Sequence, residues 1–291
     1  MKIVIVGNGA FGKAMFHVLG QNTEDVTIAK RGERIEADIV VLCAPAQAIR
    51  DILQLIHFPT ETKIIVNTSK GIEKESHAFP FQIVKNYFGN KIEYYSLMGP
   101  SFASEIIKNE PTLVNLGYLP SATHKETIKN LFQTDSFRVK LTQGVEVLEI
   151  ASAMKNIYAI GCGIADGLGY GTNTKVTLLT LAIDEMQQYF YKATFTLSLD
   201  ATAAMIGDLI LTCSSEESRN YQFGTLLVNY ETEDALKKIG STVEGYMTLQ
   251  SFPSFQSQSP VKLPLANLIS TLVASEARDV RKLFEDFLKE A

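Results

Sequence analysis

The chain has 291 residues, of which 46% are apolar and 20% charged, and its net charge is -5 at pH 7. That composition excludes collagen-like, coiled-coil and disordered chains, and the negative balance argues against a general binder of nucleic acid or anionic membrane. Cys43, Cys162 and Cys213 are scattered, as are the four histidines, so neither a disulfide framework nor a metal site is expected.

The predicted elements begin with a buried strand, Ile3 to Val6. The turn GNGAFG at residues 7–12 follows, then a helix carrying Ala14, Met15, Val18 and Leu19. Val26 to Ala29 reads as the second strand, and residues 39–43, broken off by Pro45, as the third. Further strands are expected at Ile64 to Asn67 and at residues 112–119. Short apolar strands separated by helical periodicity predict parallel βαβ units. Near residue 145 the character changes. Val147, Ile150, Met154, Ile157 and Tyr158 follow helical spacing, and residues 174–188 and 265–288 also read as helical. The expected organisation is a doubly wound, mainly parallel α/β domain over residues 1–144 and an all-α domain over residues 145–291. No apolar run reaches the roughly 18 residues that a membrane span needs, and the N-terminus is too short in apolar residues for a signal peptide. A cytoplasmic protein without a transmembrane segment is therefore expected.

Gly7, Gly9 and Gly12 form a G-x-G-x-x-G pattern between a predicted strand and a predicted helix. In that context the first glycine permits a tight turn, the second lets the backbone approach a pyrophosphate, and the third allows close helix–strand packing. The phosphates would then face the helix N-terminus. A site for NAD usually places Asp or Glu at the end of strand two. Here Ala29 is followed by Lys30 and Arg31. A cation there suits a 2′-phosphate, which favours NADP while leaving NAD as an alternative. The other reading of Arg31 is a solvated basic turn.

Three segments carry polar groups of chemical interest. Lys70, in Asn67-Thr68-Ser69-Lys70-Gly71, follows a strand, and ligands of doubly wound sheets bind at the carboxyl ends of strands. Gly99-Pro100-Ser101 offers backbone donors and a hydroxyl, although a helix-start turn with Ser101 as N-cap explains it equally. Lys155 shares its helix face with Ala151, Ser152, Ala159 and Cys162, all small. A lysine with little water around it becomes a usable proton donor or acceptor near neutrality, whereas one that snorkels to the surface does not. Downstream, Asp208 and Thr212 are spaced to share a helix face, and Asp208 can hold an ammonium in place. Ser218-Arg219-Asn220 offers a planar fork with amide donors, which fits a phosphate dianion. Their plain readings are a helix cap for Asp208 and a surface charge for Arg219. Taken together, the groups describe a small anionic substrate held by residues from both halves of the chain.

In this order, the segments GNGAFG, NTSKGIE, GPSFASE, LFQTDSFRV, ASAMKNIYAIGCGIADGLGYGTN, GDLILTCSSEESRN and TVEGY resemble the bacterial-type NAD(P)-dependent glycerol-3-phosphate dehydrogenase family over most of the chain. The resemblance implies a Rossmann domain followed by an all-α domain, and often a homodimer. It also implies reversible reduction of dihydroxyacetone phosphate to sn-glycerol 3-phosphate, which supplies phospholipid synthesis. By that resemblance Lys155 is the general acid and base. Lys70, Gly99, Ser101, Asp208, Thr212, Ser218, Arg219 and Asn220 contact substrate. Ala10, Phe11, Arg31, Lys70, Ala103, Arg219, Thr242 and Glu244 join the three glycines in contacting the cofactor. The chain departs from the family pattern in the short stretch after Arg31 and at Ala46, Leu181 and Thr242. A related 3-hydroxyacid dehydrogenase and a non-catalytic nicotinamide-binding regulatory module are the competing readings.

Overall fold

Runs of Ile and Val too short for helices build the centre of a sheet in the computed structural model, which describes residues 1–193, 201–274 and 279–290. The strands are β1 (Ile3–Val6), β2 (Val26–Ala29), β3 (Ile35–Glu36), β4 (Ile39–Leu42), β5 (Ile56–His57), β6 (Ile64–Asn67), β7 (Glu93–Met98), β8 (Thr112–Tyr118) and β9 (Phe137–Gln143). Seven of them form one sheet in the order β2-β1-β4-β6-β7-β8-β9, while β3 and β5 pair separately. Because β1 lies between β2 and β4, the chain leaves β1 in one direction and returns on its other side. This reversal of strand order is where doubly wound folds bind ligands.

The described residues divide into two compact units. The first comprises Met1–Glu73, Ala78–Ile150 and the described part of Ser198–Asp208. Its helices are α1 (Ala10–Leu19), α2 (Ile49–Leu55), α3 (Pro80–Phe88), α4 (Ala103–Ile107) and α5 (Lys125–Phe132). Side chains alternate across the sheet, so each strand feeds two cores. Ile3 and Ile5 pack with Ala14, Met15, Val18 and Leu19 of α1. Val4 and Val6 face the opposite layer with Ile49, Leu53, Ile83 and Val84. Burial on both faces explains why these strands read as unbroken apolar runs rather than as alternating ones.

One expectation is corrected. β8 does not continue the parallel series, because it pairs antiparallel with β7. A parallel return must carry the chain back along the strand. The only helix between the two is α4, with five residues, which spans roughly 7.5 Å against the roughly 20 Å of a six-residue strand. The chain instead turns at Asn109, whose φ is 58°. β9 then pairs parallel with β8.

The second unit comprises the described residues of Lys74–His77, Ala151–Leu197 and Leu209–Ala291. Its described regular structure is helical. The long helix α6 (Val145–Gly167) enters it, and α7 (Thr172–Lys192), α8 (Asp208–Ser214), α9 (Arg219–Leu226), α10 (Thr232–Ile239), α11 (Glu244–Gln258), α12 (Pro264–Ala274) and α13 (Val280–Glu290) follow. The expected helical stretch at residues 265–288 is thus two helices, with residues 275–278 outside the described set. α6 is the one described helix long and apolar enough to cross a membrane, and it is wholly buried within the protein. Residues 147–165 are buried on every face rather than along one stripe. Glycines make that possible: a Cβ at Gly163 would lie 2.0 Å from the Tyr221 carbonyl oxygen, and one at Gly224 would lie 2.0 Å from that of Ile160. α6 and α9 therefore meet backbone to backbone.

Candidate active site

The glycine turn comes first. Gly7 has φ +123°, and a Cβ there would lie 2.3 Å from the Cys43 carbonyl oxygen at the end of β4. At Gly12 a Cβ would lie 1.8 Å from the Gly7 carbonyl oxygen. Both positions therefore exclude a side chain for internal reasons. Gly9 differs: nothing lies within 4 Å of its missing Cβ, so its backbone is open to an incoming group. Gly9 is also the N-cap of α1, and no side chain caps that helix end. Open N–H donors and a positive dipole end fit the pyrophosphate of a dinucleotide. Ala10 is exposed, and half-buried Phe11 packs on the sheet core. Arg31 is exposed in the turn after β2, where the Lys30 N–H donates to the Glu33 carboxylate at 2.9 Å.

The same unit gathers Lys70, Asp208 and the Gly99-Pro100-Ser101 turn. Lys70 follows β6, and its Nζ donates to Asp208 Oδ2 at 2.6 Å. Lys70 is 17% exposed and Asp208 only 2%. Asp208 arrives on a π-helical turn, Ala203–Gly207, that leads into α8. The Ala204 N–H of that turn donates to Oδ1 of the fully buried Asn115 at 2.8 Å. A Cβ on Gly207 would lie 3.2 Å from the Pro100 ring, which brings the Gly99–Ser101 segment beside the pair. Ser101 does not cap a helix. Its Oγ donates to the Gly99 carbonyl oxygen at 3.0 Å, and Phe102 occupies the N-cap of α4. Half-buried Ala103 opens that helix.

The helical unit gathers a second group. Lys155 is 4% exposed and does not snorkel to the surface. Its Nζ donates to Thr212 Oγ1 at 2.6 Å, and Thr212 stands one turn after Asp208 in α8. Helical side chains lean toward the N-terminus, so Lys155 lies over the turn that holds Ser152. The Ser152 hydroxyl is buried with no hydrogen-bond partner among the described residues. Asn156 Nδ2 donates to Glu244 Oε2 at 3.2 Å, and Asn156 Oδ1 accepts from Asn220 Nδ2 at 3.0 Å. Asn220 Oδ1 accepts from the Gly245 N–H at 2.8 Å. Ser218 caps α9 by accepting from the Tyr221 N–H. Exposed Arg219 is the first residue of that helix, and exposed Thr242 precedes α11.

Comparison with known proteins now bears on these groups. Residues 33–124 match the family model for the N-terminus of NAD-dependent glycerol-3-phosphate dehydrogenase, and residues 144–285 match the model for its C-terminus. The chain belongs to the glycerol-3-phosphate dehydrogenase family. It is 33% identical over 274 residues to a glycerol-3-phosphate dehydrogenase [NAD(P)+] of Syntrophomonas wolfei, covering 92% of this chain and 77% of that one. An Oleidesulfovibrio alaskensis protein of the same name is 30% identical and is covered in full, as is this chain. Among solved structures, a glycerol-3-phosphate dehydrogenase of Coxiella burnetii shares the fold at a TM-score of 0.86. Its identity is 23%, with 99% of this chain and 98% of that one covered.

Three buried polar residues of this family member escape a reading by periodicity. Glu149 lies in the first turns of α6 and is 1% exposed. Asn115 interrupts the apolar run of β8, and Asn67 ends β6. Glu149 and Asn115 are polar residues inside apolar stretches, which is the signal that could have found them, whereas Asn67 stands where the apolar run of β6 ends. Glu149 accepts from Asn67 Nδ2 (2.9 Å), Tyr94 OH (2.5 Å), Ser96 Oγ (2.6 Å) and the Phe81 N–H (2.9 Å). Burial pushes its carboxyl up to about 7, against the opposing pull of these donors.

Proposed function

We propose that this chain catalyses the reversible NAD(P)H-dependent reduction of dihydroxyacetone phosphate to sn-glycerol 3-phosphate, with NADPH as its preferred reductant. When bound, the cofactor supplies hydride to C2 of the substrate. Gly7, Gly9, Gly12, Ala10 and Phe11 bind its pyrophosphate end at the head of α1. The exposed guanidinium of Arg31 takes the 2′-phosphate, while the nearby Glu33 carboxylate is engaged by the Lys30 N–H. Ala103, Thr242 and Glu244 complete the cofactor contacts, with Lys70 and Arg219 reaching both cofactor and substrate.

Reduction of a ketone builds negative charge on its oxygen. Lys155 Nζ gives that oxygen its proton and takes it back in the reverse direction. Thr212 fixes the ammonium in one place by accepting one of its protons. Lys70 stabilises the developing charge, and Asp208 keeps its side chain from wandering. Gly99 and Ser101 line the substrate with Asn220. Arg219 and Ser218, at the N-terminal end of α9, hold the phosphate dianion, where the helix dipole adds to the guanidinium.

The observation that carries this reading is the buried ammonium of Lys155. A core-facing lysine 4% exposed costs several kcal/mol to desolvate, and packing alone gives no reason for one. The test is oxidation of NADPH and of NADH by dihydroxyacetone phosphate, measured side by side. Faster turnover with NADPH is expected. Equal or faster turnover with NADH overturns the cofactor preference, and no turnover with either overturns the reaction.

A further inference from the structure

The buried carboxylate of Glu149 touches none of the groups assigned above, yet one of its donors leads directly to Lys70. Asn67 Nδ2 bridges Glu149 Oε1 (2.9 Å) and the Ser69 carbonyl oxygen (3.0 Å). Asn67 Oδ1 in turn accepts from the Ser69 N–H at 2.9 Å. One amide therefore clamps the backbone of Ser69 on both sides, one residue before Lys70. An amide can turn over and exchange its oxygen for its nitrogen. Turned over, it would set N–H against N–H at Ser69. Glu149 Oε1 accepts from Asn67, Tyr94 and Ser96 alike, and an oxygen that accepts there requires the NH₂ group of Asn67 to face it, which leaves Oδ1 for Ser69. The other three donors, Tyr94 OH, Ser96 Oγ and the Phe81 N–H, hold the carboxylate itself in place.

Packing offers no need for such a group, since an apolar side chain of similar size costs nothing to bury. Nor does the network extend to the glycine turn. What it fixes is the loop that aims Lys70 at Asp208. We propose that Glu149 is a positioning residue, which acts through the Asn67 clamp to hold the Lys70 ammonium where the substrate's C2 oxygen is reduced. This rests on Lys70 contacting the substrate, as argued above.

The experiment is a kinetic double-mutant cycle on the full chain. Glu149→Ala should lower kcat/KM for dihydroxyacetone phosphate about 10- to 100-fold, the scale of a small misplacement of a catalytic group. The dissociation constant for NADPH, which Lys70 also contacts, should rise no further in Glu149→Ala than it does in Lys70→Ala. Lys70→Ala should lower kcat/KM as well, and Glu149→Ala added to it should cause no further loss beyond about twofold. Tyr94→Phe, which removes a donor from the same oxygen but spares the clamp, should lower stability and leave kcat/KM unchanged. If Glu149→Ala cannot be purified folded, Asn67→Ala replaces it in the cycle with the same expectation. Additive losses overturn the proposal, because a merely structural role predicts them. Normal kcat/KM in Glu149→Ala overturns it while leaving Lys70 in place. Normal kcat/KM in Lys70→Ala overturns both this proposal and the role of Lys70.

Discussion

The Lys70–Asp208 pair makes an asymmetric prediction about stability. The two charges are 2.6 Å apart, with the lysine 17% and the aspartate 2% exposed. At an effective dielectric of about 20 the gross attraction is about 6 kcal/mol, and desolvation of the carboxylate offsets much of it. The two halves of the pair therefore do not cost the same to remove. Lys70→Met strips the ammonium from a carboxylate that water barely reaches, and should destabilise the protein by about 3–5 kcal/mol. Asp208→Asn leaves an ammonium that water can reach and an amide oxygen that still accepts, so its cost should be about 1–2 kcal/mol. The double variant Lys70→Met/Asp208→Asn removes both charges of the pair and should recover most of the Lys70→Met loss. Urea unfolding of the four proteins, compared at constant m, measures this directly. Equal losses in the two single variants, or a double variant that loses the sum, would falsify the view that the more buried partner is the costlier one to leave without its counter-charge.

Four further outcomes are expected. Lys155→Ala should lower turnover about 10²- to 10⁴-fold, as loss of a general acid does, while NADPH titration shows retained binding; an unchanged rate removes Lys155 from the chemistry. Arg219→Ala should raise KM for dihydroxyacetone phosphate far more than for unphosphorylated analogues, and equal effects on both would refute the phosphate role. Gly12→Ala puts a methyl 1.8 Å from a backbone oxygen, so it should displace the turn and abolish dinucleotide binding in a fluorescence titration. Retained affinity would show that the turn does not carry the cofactor. The last concerns pH. The Glu149 carboxyl rises from 4.5 unfolded to about 7 folded, so its favourable contribution is complete below pH 4.5 and is lost as pH climbs through 7. Glu149→Gln removes this linkage. Its stability relative to the parent should improve by about 3 kcal/mol between pH 4 and pH 8, as read from unfolding midpoints, and a pH-independent difference would contradict the raised value.

Much of this arrangement is written locally. The glycine turn can be read because a six-residue string, the strand before it and the helix after it are adjacent in sequence. β1 and β6 match their expected residues because a strand buried on both faces is a short apolar run with no other use, and the edge strand β2 matches as well although its Thr27 is exposed. β7 and β9 were harder to see. β7 begins with Glu93 and carries Ser96 in its middle, and both look like loop residues until their partners appear. Glu93 accepts from Tyr95 OH and from Thr123, and Ser96 donates to Glu149. β9 sits at the sheet edge with Arg138 and Lys140 exposed, so its apolar residues alternate and never form a run.

The lysines were legible for a different reason than the groups that hold them. A lysine among small residues is anomalous on its own helix face, and a lysine after a strand end is anomalous by position, so neither needs a distant partner to be noticed. Asn67 and Glu149 are 82 residues apart, Lys70 and Asp208 are 138 apart, and Lys155 and Thr212 are 57 apart. Periodicity assigns a charged residue in an apolar helix to the solvent side, and that rule fails in α6 because residues 147–165 have no solvent side. A polar residue on such a helix must find its partner inside the protein or carry the full cost of desolvation. For Glu149 the demand is met by four donors. For Ser152, whose buried hydroxyl has no partner among the described residues, it is not met within the described protein.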